Sequence, residues 1–203
     1  MLTDLTKLAA LGMWPETVYR DLLDVERGAL SEADFRARHI HRKAVLEIDS
    51  IGLTSTSLRL GEVAALRRIL RFQQVCAPVL ADFGAELTHA FADNLTVLFD
   101  SPTQAIDAAF ALHTRLAEAN TDDLVPQCGI GIGYGDVFAI GPNLAMGDEM
   151  NKASKLGEDT AESGETLLTD AAFQAVKDHP AARFTVVAES DLPFPYARAE
   201  PAR

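Results

Sequence analysis

The order of secondary-structure signals after Lys43 constrains this chain more than any other feature. Ala44-Val45-Leu46-Glu47-Ile48-Asp49 is a strand-like run that ends on an acid. Residues 58–83 read as one long helical stretch, with Val63, Leu66, Leu70, Ala77 and Leu80 near helical spacing. Pro78 is expected to bend or tighten its last turns. Residues 86–91 and 95–99 are two strand-like runs around Ala92-Asp93-Asn94, a connection short enough for a tight hairpin because Asp and Asn tolerate left-handed turns. Ser101-Pro102 opens a helix with Ala105, Ala109, Leu112 and Leu116 on one face. Residues 127–135 and 136–140 then read as another strand pair. Strand, helix, strand, strand, helix, strand predicts an α+β fold: a ferredoxin-like βαββαβ core, one sheet with its helices on one face. Helices over 147–161 and 169–177 and weak strands near 183–188 and 195–199 extend it.

Residues 1–42 differ in character. They read as three short helices, broken at Gly12 and Gly28, with Pro15 in a first turn and Ser31 as the N-cap of the third, which is expected to run to about His41. The chain therefore divides into an N-terminal helical arm over 1–42 and a larger domain over 43–203. The arm carries no catalytic constellation, and helices that simply cover the core are favoured over a regulatory or dimerisation arm.

Composition narrows the function classes. At 203 residues and 48% apolar content the chain can bury a core without disulfides or metals. No apolar run approaches the ~20 residues of a membrane span, and no signal-peptide pattern opens the chain. Cys76 and Cys128 form no framework and no CxxC motif, which fits a cytoplasmic protein. Thirty acidic residues against 18 basic argue against nucleic acid as a partner. Residues 1–43 are neutral, with seven charges of each sign, so the whole net charge of −12 lies beyond them. Residues 121–170 hold ten acids and two cations, Lys152 and Lys155.

Two of the acids stand at strand ends. Asp49 closes the first strand and Asp93 sits in the hairpin, and a βαββαβ core can bring these ends together. Converging carboxylates repel unless a cation bridges them, and Mg²⁺ suits such a pair because phosphate oxygens and water complete its octahedron. For either acid alone, a cap or turn residue is the favoured reading. Gly52, in a turn leading into a helix, can expose backbone N–H groups to phosphate.

Three segments together resemble the catalytic domain of the class III nucleotidyl cyclases, the adenylyl and guanylyl cyclase superfamily. Val45-Leu46-Glu47-Ile48-Asp49-Ser50-Ile51-Gly52-Leu53-Thr54 is similar to the family's first strand, metal-binding Asp and following turn. Residues 84–94, ending Ala92-Asp93-Asn94, are similar to the hairpin with the second metal Asp. Gly129-Ile130-Gly131-Ile132-Gly133-Tyr134-Gly135-Asp136-Val137 followed by residues 147–156 is similar to the strand and helix with the catalytic Asn, here Asn151. The resemblance spans about 43–175 and implies two Mg²⁺ or Mn²⁺ ions on Asp49, Asp93 and the Ser50 carbonyl. It implies phosphate contacts from the N–H groups of Ile51, Gly52, Leu53 and Thr54. It further implies a homodimer in which Asn151 and Lys155 face the partner's aspartates. The reaction would turn a nucleoside triphosphate, ATP by family frequency, into a 3′,5′-cyclic nucleotide and pyrophosphate.

Some positions depart from the family. His89 stands where a base-reading Lys is common, and Leu144 where Asp or Thr reads the base. Lys155 replaces a transition-state Arg, keeping the charge and losing the planar fork. The C-terminal strands offer Arg198 in place of a triphosphate-binding lysine. These substitutions support a second expectation, a degenerate cyclase-fold module that binds nucleotide or a partner without turnover. A palm-type or diguanylate cyclase domain shares the two-metal geometry, but the Gly-Gly-Asp/Glu-Glu-Phe hairpin is absent.

Overall fold

The computed structural model describes residues 4–12, 14–120, 125–139 and 145–202. Three helices come first, α1 (Leu5–Gly12), α2 (Glu16–Glu26) and α3 (Glu32–His39). The Ser31 side chain accepts the Asp34 N–H and caps α3, which stops at His39 because Ile40 already belongs to the sheet. The core follows as β1 (Ile40–Ser50), α4 (Leu53–Leu60), α5 (Glu62–Asp82), β2 (Leu87–Phe91), β3 (Asn94–Phe99), α6 (Pro102–Ala119) and β4 (Cys128–Ala139). Beyond it lie β5 (Ala145–Met146), α7 (Asp148–Asp159), β6 (Thr166–Thr169), α8 (Asp170–Val176), β7 (Ala182–Val187) and β8 (Tyr196–Pro201).

The strands form one sheet in the order β2-β3-β1-β4-β6-β8-β7, with β5 on β4. The first four strands are antiparallel neighbours in the order of a ferredoxin-like core. Residues 127–140 were expected as a strand pair; Cys128–Ala139 is instead one strand, paired with β1 from Ile40↔Phe138 to Ser50↔Cys128. Ile140 lies outside the described residues.

Alternation along β1 separates two cores. Ala44, Leu46 and Ile48 join Ile130 and Ile132 of β4 under α5, α6 and α8, in a cluster that includes Phe72, Cys76, Ile106, Leu112 and Ala172. Val45 points the other way, with Val137 and Ala153, beneath α7. The two core helices thus share one face, as expected, and α7 closes the opposite one.

That closure depends on β4. Gly129, Gly131, Gly133 and Gly135 occupy alternate positions facing α7, and the helix backbone lies almost on the strand. A Cβ at Gly131 would fall 2.0 Å from the Ala153 carbonyl oxygen and 2.6 Å from the Gly157 nitrogen. Gly157 is equally close-fitting: a Cβ there would lie 2.8 Å from the Glu47 carbonyl oxygen. Glu149 fastens the start of α7, accepting the Tyr134 N–H at 3.2 Å and the Thr169 hydroxyl at 2.5 Å.

The expected helix over 58–83 is two helices meeting at Gly61. Its apolar spacing is real, but Val63, Leu66 and Leu70 are 71%, 63% and 55% exposed. The buried face of α5 is carried by Ala65, Phe72, Cys76, Val79 and Leu80. Pro78 lies inside the helix, which continues to Asp82. The N-terminal helices bury Val18 and Phe35 against Phe138, covering the end of the β1–β4 ladder remote from Asp49. Gly131→Ala is expected to lose about 1–3 kcal/mol of stability through overpacking, measured by urea unfolding.

Candidate functional site

β1 ends at Ser50, and β2 turns into β3 through Ala92-Asp93. Asp49 pairs with Asn94 across the β1–β3 ladder, so the residue after Asp93 is locked beside Asp49. Ala92 takes a positive φ of 56° in this tight turn. The convergence expected of two strand ends is therefore a matter of register.

Asp49 and Asp93 line one open cavity of about 430 Å³, together with Ser50 and the turn from Ile51 to Ser55. The Ser50 hydroxyl donates to Asp93 Oδ2 at 2.8 Å. Burial, the facing Asp93 carboxylate and then Glu158 and Asp159 push the Asp49 carboxyl up to about 6. Near neutral pH the cavity thus places negative charge where negative charge is disfavoured, which a divalent cation would relieve. Among the described residues no set of three or more His, Cys, Asp or Glu side chains forms a closed metal cage. Two carboxylates, a backbone carbonyl and space for phosphate oxygens and water suit Mg²⁺ or Mn²⁺ rather than a cation that needs an all-protein shell.

The turn that lines the same cavity leads into α4. Gly52 adopts φ 91°, ψ 17° and begins α4, a conformation that a side chain would strain. A helix start leaves N–H groups without intrahelical acceptors. Of the four residues expected to offer theirs, Ile51 spends its N–H on the Gln127 carbonyl at 2.8 Å. Gly52, Leu53 and Thr54, which line the cavity, are the ones left that could offer theirs. The Gly52 carbonyl is gripped by the Ser55 hydroxyl at 2.9 Å, the Thr56 hydroxyl at 3.0 Å and the Thr56 N–H at 3.1 Å.

The other expected site residues stand apart. Asn151 and Lys155 are exposed on α7, one turn from each other, and neither lines the Asp49 cavity of its own chain. Lys155 Nζ donates to Asp159 at 2.7 Å. Arg198, on β8, is held by Glu165 at 2.9 Å and is not part of the cavity wall. His89 belongs to β2; Leu144 lies outside the described residues.

Two residues near the cavity escaped the sequence reading. Arg68, on α5, reaches the turn and is bonded to Thr56. Glu47 is 1% exposed on the α7 face of β1, accepting the Thr96 hydroxyl at 3.0 Å while its Oε1 has no partner among the described residues. Burial, helped by the nearby Glu158 carboxylate, pushes its carboxyl up to about 8, the Thr96 hydroxyl opposing part of the shift. An acid inside the apolar run Val45–Ile48 was the visible signal for Glu47; nothing in the run Arg67-Arg68 distinguishes the second arginine from the first.

No protein-family model matches the sequence, and no curated protein matches it. Solved structures do match. The catalytic core of a rhodopsin-guanylyl cyclase with converted specificity, in complex with ATPαS, aligns with TM-score 0.69 at 14% identity, over 80% of this chain and 97% of that one. The adenylyl cyclase CyaB from P. aeruginosa aligns with TM-score 0.65 at 19% identity, over 81% and 96%. An adenylate/guanylate cyclase/hydrolase from Silicibacter pomeroyi aligns with TM-score 0.66 at 23% identity, over 79% and 95%. This chain has the fold of the class III cyclase catalytic domains, at a divergent sequence. Among the described residues no helix is long and apolar enough to cross a membrane.

The raised carboxyls set a pH dependence. A group whose folded pKa lies above its unfolded value favours the folded state at low pH and loses that contribution as pH rises through the folded pKa. Asp49 therefore withdraws stability up to about pH 6 and Glu47 up to about pH 8. Thermal unfolding of the metal-free protein should show a melting temperature falling between pH 5 and pH 8, with a flatter profile in Glu47→Gln. Added Mn²⁺ should raise the melting temperature at pH 7.5, do little at pH 5, and do nothing in Asp49→Asn.

Proposed function

We propose that this chain is a nucleotidyl cyclase that works as a homodimer, converting a nucleoside triphosphate, with ATP favoured, into a 3′,5′-cyclic nucleotide and pyrophosphate. The observation that carries the reading is the pairing of Asp49 with Asp93 in one cavity beside an amide-bearing turn, on the fold of cyclase catalytic domains. Asp49, Asp93 and the Ser50 carbonyl would hold two divalent ions. Bound there, such ions lower the pKa of the ribose 3′-hydroxyl and offset the charge of the triphosphate. The amides of Gly52, Leu53 and Thr54 bind phosphate oxygens and keep the α-phosphorus in reach of the 3′-oxygen.

Asn151 and Lys155 act on the partner's cavity. Both project from a helix whose backbone is seated on β4, so they form a rigid pair on an exposed face. Asn151 orients the ribose and Lys155 offsets charge on the reacting phosphate. The exchange of Arg for Lys makes the reaction slow, since a bidentate contact becomes a point charge. His89 and Leu144 stand in the sequence where the family reads the base and are not its usual readers, so base selection is weak.

A second reading, a module that binds nucleotide or a partner without turnover, is favoured by the ion pairs. Lys155 and Arg198 are each engaged by an acid of the same chain, Asp159 and Glu165. The pair at Lys155 is exposed and weak, so a triphosphate can displace Asp159.

Purified protein incubated with each of the four nucleoside triphosphates and Mg²⁺ or Mn²⁺ decides between the two. Cyclic product and pyrophosphate are expected, and Asp49→Ala and Asp93→Ala should abolish them. Product no higher than in the double-alanine variant would leave the binding module. Lys155→Arg should match or exceed the parent rate, while an unchanged rate in Lys155→Ala would remove Lys155 from the mechanism.

A further inference from the structure

α5 carries three arginines within five residues, Arg67, Arg68 and Arg71. Arg67 and Arg71 are exposed; Arg68 turns inward and is half-buried. Its Nη1 donates to Thr56 Oγ1 at 2.9 Å, and its Nη2 reaches the Ile51 carbonyl oxygen at 3.5 Å. Its Nε is buried and has no partner among the described residues. A half-buried guanidinium with an orphaned donor costs stability. Surface packing does not explain why this arginine, unlike its two neighbours, faces the turn.

Peptide geometry supplies a reason. A carbonyl and the N–H that follows it share one rigid plane and point in opposite directions. Holding the Ile51 carbonyl aims the Gly52 N–H, and holding the Gly52 carbonyl aims the Leu53 N–H. Arg68 touches the first carbonyl itself. It reaches the second through Thr56, whose hydroxyl accepts from Arg68 and donates to Gly52. Both carbonyls flank Gly52, the residue with the widest conformational freedom in the turn.

We propose that Arg68 is a positioning residue for anion binding: by bracing the Ile51 and Gly52 carbonyls it holds the amides of Gly52 and Leu53 toward the triphosphate. The assignment rests on the reading of this cavity as a triphosphate site. The guanidinium also places a fixed positive charge behind the turn, in a chain of net charge −12.

The test combines kinetics with amide hydrogen exchange. Arg68→Gln should raise KM for the nucleoside triphosphate about tenfold, the size expected for losing a hydrogen bond to a charged group. Its kcat should change by less than about threefold, since the residue acts on binding. Arg68→Lys should recover part of the loss. Thr56→Val, which removes the relay and keeps the shape, should raise KM, and the double variant should be no worse than Arg68→Gln alone. Arg67→Gln, with the same charge change on the exposed face, should match the parent. Amides 51–56 should exchange about tenfold faster in Arg68→Gln, with the rest of the sheet unaffected. Parent-like KM and exchange in Arg68→Gln, or an equal rise in KM in Arg67→Gln, would overturn the proposal. If the parent protein forms no cyclic product, the cyclase reading fails by itself, and exchange with and without Mg²⁺–ATP decides the role of Arg68. Protection of 51–56 by Mg²⁺–ATP that is lost in Arg68→Gln supports it, and equal behaviour of the two proteins overturns it.

Discussion

The contact between α7 and the glycine face of β4 is the constraint from which the rest of the molecule takes its dimensions. An ordinary helix rests on a sheet through side chains, about 10 Å away. Here the carbonyls of Glu149 and Ala153 stand where Cβ atoms would be at Gly133 and Gly131. So close an approach leaves room only for small residues beneath the helix, and α7 supplies Ala153 and Gly157. Apart from Glu149, which turns inward onto the Tyr134 N–H and Thr169, the helix exposes polar residues, among them Asn151 and Lys155. The same contact brings Glu158 and Asp159 near enough to Asp49 to raise its carboxyl further. Packing density on one face of β4 thus sets both what α7 exposes and the electrostatics at the end of β1.

Charge and geometry are in tension around the cavity. The ladder holds Asp49 beside the Asp93 turn whatever the cost in repulsion, because the register of β1 and β3 is set by apolar residues from Ala44 to Ile48. The core therefore supplies the free energy that keeps two like charges together. For the divalent cation proposed above, a site held in this way would be preorganised. The hydroxyls of Ser50, Ser55 and Thr56 complete the local order, each bonding to Asp93 or to the turn.

Legibility in the sequence followed how local each feature was. The Asp93 hairpin, the acid at the end of β1 and the Ser101-Pro102 start of α6 are written in adjacent residues, and the structure places each as the residues imply. The glycine-rich stretch of β4 reads as a strand, but the expected break after Gly135 is absent, and the cause of glycine at every second position is a helix from elsewhere in the chain pressing on the strand. The apolar periodicity of α5 was visible, yet period alone does not say which of two stripes faces inward; Phe72 and Cys76 decided that. Arg68 depends on a contact between residues 12 apart that no spacing rule flags, and the pairing of Glu47 with Thr96 crosses 49 residues.

The β1–β4 ladder runs unbroken from Ile40↔Phe138, beneath the N-terminal helices, to Ser50↔Cys128, beside the cavity. Eleven paired residues at roughly 3.3 Å each make a rod of about 35 Å. Such a rod can tilt or twist, but it cannot slide by a single residue. A one-residue slip of β4 would turn Ile130 and Ile132 toward α7, where even a methyl group has no space, and would turn glycines into the main core. Any mechanical influence of the N-terminal helices on Asp49 must then travel as a rigid-body rotation of the paired strands. The two ends of the molecule are coupled in orientation and insulated from one another in translation.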